Sequence, residues 1–227
     1  MTALIELQGV SKTLTDPDTV TLVRDVSLSV QPGEFVAIVG PSGCGKSSLL
    51  YLLGLLDRPT EGEVLVDAQP TRDLPEGERT HIRLTRIGFV FQFHFLLPEL
   101  TALANVALPI RRLGALGARD AEARAMALLD KLGIAEEAAR RPERMSGGQR
   151  QRVAIARALA NDPAIILGDE PTGNLDSVNT ELVVAEFRRL AHDEGRAVVC
   201  VTHDAGVAAA ADRRIHMVDG RVVPEGG

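Results

Sequence analysis

The chain has 227 residues, of which 45% are hydrophobic and 25% are charged, and its formal net charge is −6 at pH 7. This length and apolar content suit one α/β domain with an inserted segment better than two independent domains. The negative charge argues against a nucleic-acid partner, because binding to phosphate backbones requires a basic surface. We expect no membrane span, since no window approaches about 20 uninterrupted apolar residues, and no signal peptide, since Met1–Val10 carries Glu6 and no basic region.

Apolar runs bounded by turn residues predict strands on both sides of a long helical stretch. From about Phe93 to Ala160 the pattern is helical, and Ala118–Leu132 is rich in Ala, Leu, Glu and Arg. We therefore expect an α/β core of residues 1–91 and 161–227, with antiparallel strands at its N-terminal end and a helical subdomain of residues 92–160 inserted into it. The predicted strands are Leu4–Val10, Leu22–Val30, Phe35–Val39, Glu63–Asp67, Ile87–Phe91, Ala164–Asp169, Ala197–Val201 and Arg214–Val218.

A glycine-rich loop of the pattern G-x-x-x-x-G-K-S lies between the strand Phe35–Val39 and a predicted helix, Ser47–Leu56. Glycines allow consecutive backbone N–H groups to turn inward, and the start of a helix adds the positive end of its dipole. In such a loop Lys46 reaches the β and γ phosphates, and the hydroxyl of Ser47 binds Mg²⁺. The sequence thus predicts a nucleoside triphosphate site formed by Gly40, Pro41, Ser42, Gly43, Cys44, Gly45, Lys46, Ser47 and Ser48.

A second candidate anion site follows about a hundred residues later. A serine and two adjacent glycines, in Ser146-Gly147-Gly148-Gln149, precede the helical stretch Arg150–Ala160. A helix start of this kind binds anions through its free N–H groups. Alone, the tetrapeptide would also fit an ordinary capped helix start, but its position after the phosphate loop favours a functional interpretation.

In order and spacing, these two motifs resemble those of ATP-binding-cassette (ABC) ATPases, and the resemblance covers essentially the whole chain. It implies an α/β fold of the P-loop NTPase type, with ATP and Mg²⁺ as ligands. In that family the second motif contacts the ATP held by a partner subunit. The resemblance therefore implies a two-fold dimer with a second copy of this chain, in which the contacts come from Ser146, Gly147, Gly148, Gln149 and the loop Asn174 to Asp176.

The same resemblance implies the catalytic positions. Asp169 and Glu170 end an apolar strand, at the edge where parallel sheets bind ligands. By resemblance Asp169 orders the Mg²⁺ shell, and Glu170 is the general base that polarises the attacking water. His203 matches the switch histidine that contacts the γ-phosphate. Gln92, which closes the strand Ile87–Phe91, matches the glutamine that senses Mg²⁺ and water and links the site to a membrane partner.

The segment Gly88–Val106 looks most like ATPases of the lipoprotein-release and macrolide-export group. It holds four of the six Phe residues of the chain. The apolar residues after Gln92 have two open interpretations. They pack the helical subdomain, or they form a surface on which integral-membrane permease subunits dock near Phe93–Leu100. The second interpretation implies a peripheral subunit on the cytoplasmic side of the inner membrane.

Three functional classes follow from these motifs. The favoured class is an ATPase subunit that drives a membrane permease. The alternative is a regulatory ABC ATPase of the cell-division type, which controls periplasmic wall hydrolases. A soluble ABC protein of DNA repair or translation is disfavoured, because the sequence shows no coiled-coil insertion, no second cassette and no basic face.

Several positions depart from the family pattern, including Met145 for the leading leucine of the second motif and Ala104 for a glutamate before Asn105. Leu14 stands where an aromatic side chain often stacks on adenine, and the only tyrosine, Tyr51, lies on the helix after the phosphate loop. Gly168 replaces the usual alanine beside Asp169. The departure at Leu14 predicts that no aromatic residue at the family's usual position stacks on the base.

Overall fold

Two β-sheets and seven α-helices form the part of the chain that the computed structural model describes, residues 2–15 and 18–224. The strands are β1 (Ile5–Leu14), β2 (Val20–Val30), β3 (Phe35–Val39), β4 (Glu61–Val66), β5 (Gln69–Pro70), β6 (Ile87–Phe91), β7 (Ile165–Asp169), β8 (Ala197–Val201), β9 (Arg213–Val218) and β10 (Arg221–Val223). The helices are α1 (Lys46–Leu53), α2 (Glu76–Arg86), α3 (Ala102–Leu113), α4 (Ala118–Lys131), α5 (Gly147–Ala158), α6 (Ser177–His192) and α7 (Ala205–Ala210).

The larger sheet has six strands in the order β10-β9-β3-β8-β7-β6, and all neighbours are parallel except the pair β9 and β10. Its strands are apolar on both faces, as expected for a parallel sheet covered on both sides. Val36 and Ile38 of β3 belong to one hydrophobic core, and Phe35 belongs to another. The carboxyl ends of β3, β6, β7 and β8 therefore meet at one edge, where ligands bind in open α/β sheets.

The smaller sheet is antiparallel, with the order β2-β1-β4-β5. One hydrophobic core contains side chains from this sheet, from α1 and from the larger sheet, including Ile5, Leu49, Leu52 and Leu167, all with no exposed surface. Helix α1 is thus held by both sheets, which fixes the position of the loop before it.

Helices α3, α4 and α5 share a separate core built around Val106, Leu129 and Val153. The side chain of Thr101 caps α3 by accepting a hydrogen bond from the N–H of Ala104 at 3.2 Å. Helix α5 also contributes Ile155 to the core on the other face of the large sheet. The helical group is therefore joined to the sheet chiefly through α5.

Several predicted bounds were wrong. Strand β1 continues to Leu14 rather than ending at Val10, because Gly9 has φ 57° and the pairing register shifts beside it, which breaks the alternation without ending the strand. The first helix of the predicted helical stretch, α3, begins at Ala102 rather than near Phe93. The remaining corrections are Leu22–Val30 to Val20–Val30, Ser47–Leu56 to Lys46–Leu53, Glu63–Asp67 to Glu61–Val66, Ala118–Leu132 to Ala118–Lys131, Arg150–Ala160 to Gly147–Ala158, Ala164–Asp169 to Ile165–Asp169, and Arg214–Val218 to Arg213–Val218.

Candidate nucleotide-binding site

The glycine-rich loop connects the end of β3 to the start of α1, as the sequence predicts. Its shape requires glycine at two points. A Cβ at Gly40 would lie 2.1 Å from the carbonyl oxygen of Met217, and a Cβ at Gly45, where φ is 100°, would lie 2.1 Å from that of Leu22. Neither position can accept a larger residue without moving backbone. The loop is thus packed between the strand β9 and the N-terminal sheet, with α1 directly behind it.

The side chain of Lys46 folds back over this loop. Its Nζ donates hydrogen bonds to the carbonyl oxygens of Gly40 and Pro41, both at 2.8 Å, and the residue is only 9% exposed. Lys46 is also the first residue of α1, so its charge adds to the positive end of the helix dipole. A cationic loop at a helix N-terminus favours a bound phosphate.

Two hydroxyl groups of α1 hold the carboxylate of Asp169 at the end of β7. Ser47 Oγ donates to Asp169 Oδ1, and Tyr51 Oη donates to Asp169 Oδ2, each at 2.9 Å. Burial, followed by the hydrogen bond and the charge of Asp169, raises the pKa of Tyr51 to about 12. The structure therefore brings Ser47 and Asp169 together and adds Tyr51, for which no role was predicted.

Glu170 and His203 form a pair at the ends of β7 and β8. His203 Nδ1 lies 2.7 Å from Glu170 Oε2, and the backbone N–H of His203 donates to the same oxygen at 3.4 Å. The backbone of Glu170 has φ 48°, the left-handed region that costs free energy for any residue except glycine. Strain of this kind is common at functional sites.

Gln92 follows β6, the edge strand next to β7. Its backbone N–H donates to the carbonyl oxygen of Asp169 at 2.9 Å. A Cβ on Gly173 would lie 2.7 Å from Gln92 Nε2, so the glutamine side chain lies directly against the segment that follows Glu170. The structure thus places the backbone of Gln92 beside Asp169 and its side chain beside Gly173.

The second motif lies apart from the phosphate loop. Ser146 caps α5 and is exposed: Gln149 N–H donates to Ser146 Oγ at 3.2 Å, and Ser146 N–H donates to Gln149 Oε1 at 2.8 Å. A Cβ on Gly148 would lie 2.0 Å from Asn179 Oδ1, which places the motif against the start of α6. Within residues 2–15 and 18–224, no hydrogen bond or ion pair links residues 146–149 to residues 40–48. The predicted site residues therefore fall into two groups.

Residues 93–97 form a loop with an unusual backbone and an apolar outer surface. His94 and Phe95 have φ of 61° and 46°, and Arg157 of α5 donates to both of their carbonyl oxygens at 2.6 Å. Phe93, Phe95 and Leu97 are 68%, 61% and 43% exposed. His94 is buried, and burial together with the nearby Arg150 charge lowers its pKa.

Part of this loop packs against the helical group, and part of it is exposed. Leu96 packs against the core of the helical group, whereas Phe93, Phe95 and Leu97 face outward. Beside them a groove of about 370 Å³ lies between α2, β6, α3 and α5, lined by residues that include Phe89, Phe91, Leu108 and Pro109.

The contacts of Tyr51 and Arg157 were not predicted. A sequence signal existed for Tyr51 alone, because it lies four residues after Ser47 and hence on the same face of α1. Nothing in the sequence pattern indicates that Arg157 reaches the carbonyl groups of a loop 62 residues earlier.

No helix among residues 2–15 and 18–224 is both long enough and apolar enough to span a membrane. A sequence profile of the ABC transporter family matches residues 23–173, more than half of the chain. The chain is 50% identical over 202 residues to the lipoprotein-releasing system ATP-binding protein LolD 1 of Chlorobium chlorochromatii, covering 89% of this chain and 82% of the relative. It is 46% identical to the macrolide export ATP-binding/permease protein MacB of Syntrophobacter fumaroxidans, over 99% of this chain but only 32% of that longer protein.

Solved structures of MJ0796 from Methanocaldococcus jannaschii have the same fold, with a TM-score of 0.90 over 97% of both chains. One, 46% identical to this chain, is described as a dimeric bacterial ABC transporter cassette, and another, 45% identical, as a post-hydrolysis state bound to ADP and Pi. The predicted α/β P-loop NTPase fold and the resemblance to the lipoprotein-release and macrolide-export group are confirmed. The chain belongs to the ABC transporter family and is an ATP-binding and ATP-hydrolysing cassette of that family.

Proposed function

We propose that this chain is the ATP-hydrolysing subunit of a transport complex of the lipoprotein-release or macrolide-export type, bound to permease subunits at the cytoplasmic side of the inner membrane. The observation that carries the proposal is the convergence of Lys46, Ser47, Asp169 and the pair Glu170–His203 at one sheet edge. The names of the relatives support the transport class. In this proposal the chain is one cassette, with a core of residues 1–91 and 161–227 and a helical subdomain of residues 92–160.

ATP binding uses the loop from Gly40 to Ser48. Phosphate oxygens replace the carbonyl groups of Gly40 and Pro41 as acceptors for Lys46, and the backbone N–H groups of Ser42, Gly43, Cys44 and Gly45 complete the cradle. The exchange preserves the hydrogen bonds of the ammonium group, because charged acceptors replace neutral ones.

Mg²⁺ fits the oxygen groups beside this loop. Ser47 hydroxyl, the Asp169 carboxylate and the Gln92 amide supply only hard oxygen donors, and Mg²⁺ sites in proteins combine few such groups with waters and substrate phosphates. Mg²⁺ held by these groups would neutralise part of the negative charge on the phosphates. Ser47 can donate its hydrogen to Asp169 Oδ1, as it does here, and its oxygen would still have a lone pair available to hold the metal.

Hydrolysis requires Glu170 to give up its present partner. His203 Nδ1 now occupies Glu170 Oε2. When His203 turns to the γ-phosphate, Oε2 becomes free to accept a proton from water as that water attacks phosphorus. The bond between the γ phosphorus and the bridging oxygen breaks, and ADP leaves with the electron pair.

The working form is a two-fold dimer in which Ser146, Gly147, Gly148 and Gln149 of one copy contact the ATP on the other. Ser146 is exposed at the start of α5 and lies apart from the loop of its own chain. We expect a Ser146→Arg subunit mixed with a Lys46→Ala subunit to keep one of two composite sites and to associate when ATP is added. Homodimers of either variant serve as controls. A mixture that never associates, where the wild type does, would contradict the dimer.

The permease docks near Phe93–Leu100. Three apolar side chains there are exposed, and the adjacent groove of about 370 Å³ is lined by Phe, Leu and Pro side chains together with Arg83, Arg112 and Arg157. Such a groove suits the apolar face of a short amphipathic helix. Gln92 immediately precedes this surface, and its backbone N–H donates to the carbonyl oxygen of Asp169. A docked helix would therefore sense the nucleotide site through one loop.

Co-purification from source membranes tests the proposal. Wild-type chain is expected to bring down a permease with a large periplasmic domain, whereas Phe95→Asp and Leu97→Asp are expected to lose it and to keep basal ATPase activity within a few fold. Leu116→Asp is the matched control, because Leu116 is a similarly exposed leucine (41%) outside this loop. Complexes that survive both loop substitutions would overturn the docking surface. Capture of a wall-hydrolase regulator in place of a permease would overturn the transport role.

A further inference from the structure

The carboxylate of Asp169 is held on both oxygens by one helix. Ser47 and Tyr51 lie four residues apart on α1, hence on the same face, and each donates to a different oxygen at 2.9 Å. The backbone of Asp169 is also fixed, because it pairs with Phe91 and Val201 of the neighbouring strands. Its side chain has therefore little rotational freedom left.

The two donors differ in what they can do for a metal. An ionised carboxylate only accepts hydrogen bonds, so each hydroxyl must be the donor. Ser47 lies next to Lys46 in the phosphate loop, and its oxygen is a candidate metal ligand. Tyr51 is one turn further along α1, away from the loop, so its hydroxyl holds the second carboxylate oxygen, Oδ2, without being next to the phosphates.

We infer that Tyr51 is a positioning residue for the divalent cation, holding Asp169 in the orientation that Mg²⁺ requires. This inference rests on the proposed metal role of Ser47 and Asp169. Mg²⁺ demands near-ideal octahedral geometry, whereas Ca²⁺ accepts irregular ligand arrangements. An Asp169 carboxylate that is free to rotate therefore penalises Mg²⁺ more than Ca²⁺.

The test measures affinity for a non-hydrolysable ATP analogue by the full-length chain, with EDTA, with Mg²⁺ and with Ca²⁺. Tyr51→Phe removes one hydroxyl and keeps the ring. It is expected to weaken the Mg²⁺-dependent affinity about tenfold, the effect of losing a partner of a metal-ligand group. The affinity in EDTA should stay unchanged, and the advantage of Mg²⁺ over Ca²⁺ should shrink.

Controls separate this role from structural packing. A residue that merely packs α1 against β7 would change the affinity in EDTA as well. If Tyr51 acts through Asp169, adding Tyr51→Phe to Asp169→Asn should cause no further loss. Equal Mg²⁺ affinity of Tyr51→Phe and wild type would overturn the inference. Wild type with no Mg²⁺ dependence would overturn the proposed metal site instead.

A second measurement keeps the tyrosine at position 51. Because Tyr51 is the only tyrosine, growth on 3-fluorotyrosine places a single kind of fluorine in the protein, at residue 51. Its NMR resonance is expected to move when Asp169→Asn is introduced, and again when Mg²⁺ is added to the wild type saturated with the analogue. A resonance unmoved by both changes would overturn the inference even if Tyr51→Phe failed to fold.

Discussion

The left-handed backbone of Glu170 predicts that a glycine variant is more stable than an alanine variant at this position, the reverse of the usual order of stability. In a regular helix or strand, replacing alanine by glycine lowers the stability of the folded protein by about 0.5–1 kcal/mol. At Glu170, where φ is 48°, any residue with a Cβ costs about 1–2 kcal/mol. We expect Glu170→Gly to be more stable than Glu170→Ala by about 1 kcal/mol, or roughly 2–4 °C in Tm for a chain of this size. Both variants lose the contact with His203, so that loss cancels in the comparison.

Urea unfolding without nucleotide measures the difference, because bound ATP would add stability of its own. Glu181, an exposed residue of α6, provides the control. Because this backbone is helical, Glu181→Ala should be more stable than Glu181→Gly. Hydrolysis should fall at least about 100-fold in Glu170→Gly, Glu170→Ala and Glu170→Gln alike, since each lacks the carboxylate that accepts the proton. Equal stability of Glu170→Ala and Glu170→Gly would mean that the backbone of residue 170 is not strained.

Three further substitutions test other regions. Leu14→Tyr should tighten ATP binding by roughly 0.5–1.5 kcal/mol through stacking, and unchanged affinity in calorimetry would mean that the base binds elsewhere. Burial opposes ionisation of Glu194, but hydrogen bonds from Lys131, Arg189 and Arg196 lower its pKa from 4.5 to about 2. The ionised carboxylate therefore contributes its full stabilisation of the fold above pH 4.5. The difference in unfolding free energy between wild type and Glu194→Gln should narrow as pH falls toward 2. Gly54→Ala should destabilise by about 1–3 kcal/mol in urea, because the new Cβ lies 2.1 Å from the ring of Phe89.

The phosphate loop and the acids at the strand end could be predicted because their spacing along the chain is fixed by local backbone geometry. The strands β3, β6 and β8 were predicted with correct bounds for a similar reason: each is a short apolar run bounded by polar or turn residues. The identity of the family followed from the order of these local motifs.

Features that depend on distant contacts could not be predicted. Helix α2 has few apolar residues, and the sequence pattern did not indicate it; Arg79 anchors it by donating to carbonyl oxygens of Leu55 and Asp57 at 2.9 and 2.7 Å. The bond between Tyr51 and Asp169 spans 118 residues. The sequence left open whether Phe93 and Phe95 are buried or exposed, because the bonds that Arg157 makes to this loop are not encoded in any local pattern.

Helix α5 has a mechanical consequence for the proposed complex. Ser146 lies at its start and Arg157 near its end, a distance of about 16 Å along a rigid rod. Arg157 grips the loop that carries Phe93 and Phe95 by two hydrogen bonds. In the proposed complex, a displacement of that loop would be transmitted through these two hydrogen bonds to α5, and through α5 to Ser146. Movement of the loop by a permease and closure of the dimer at Ser146 would then be coupled through one helix.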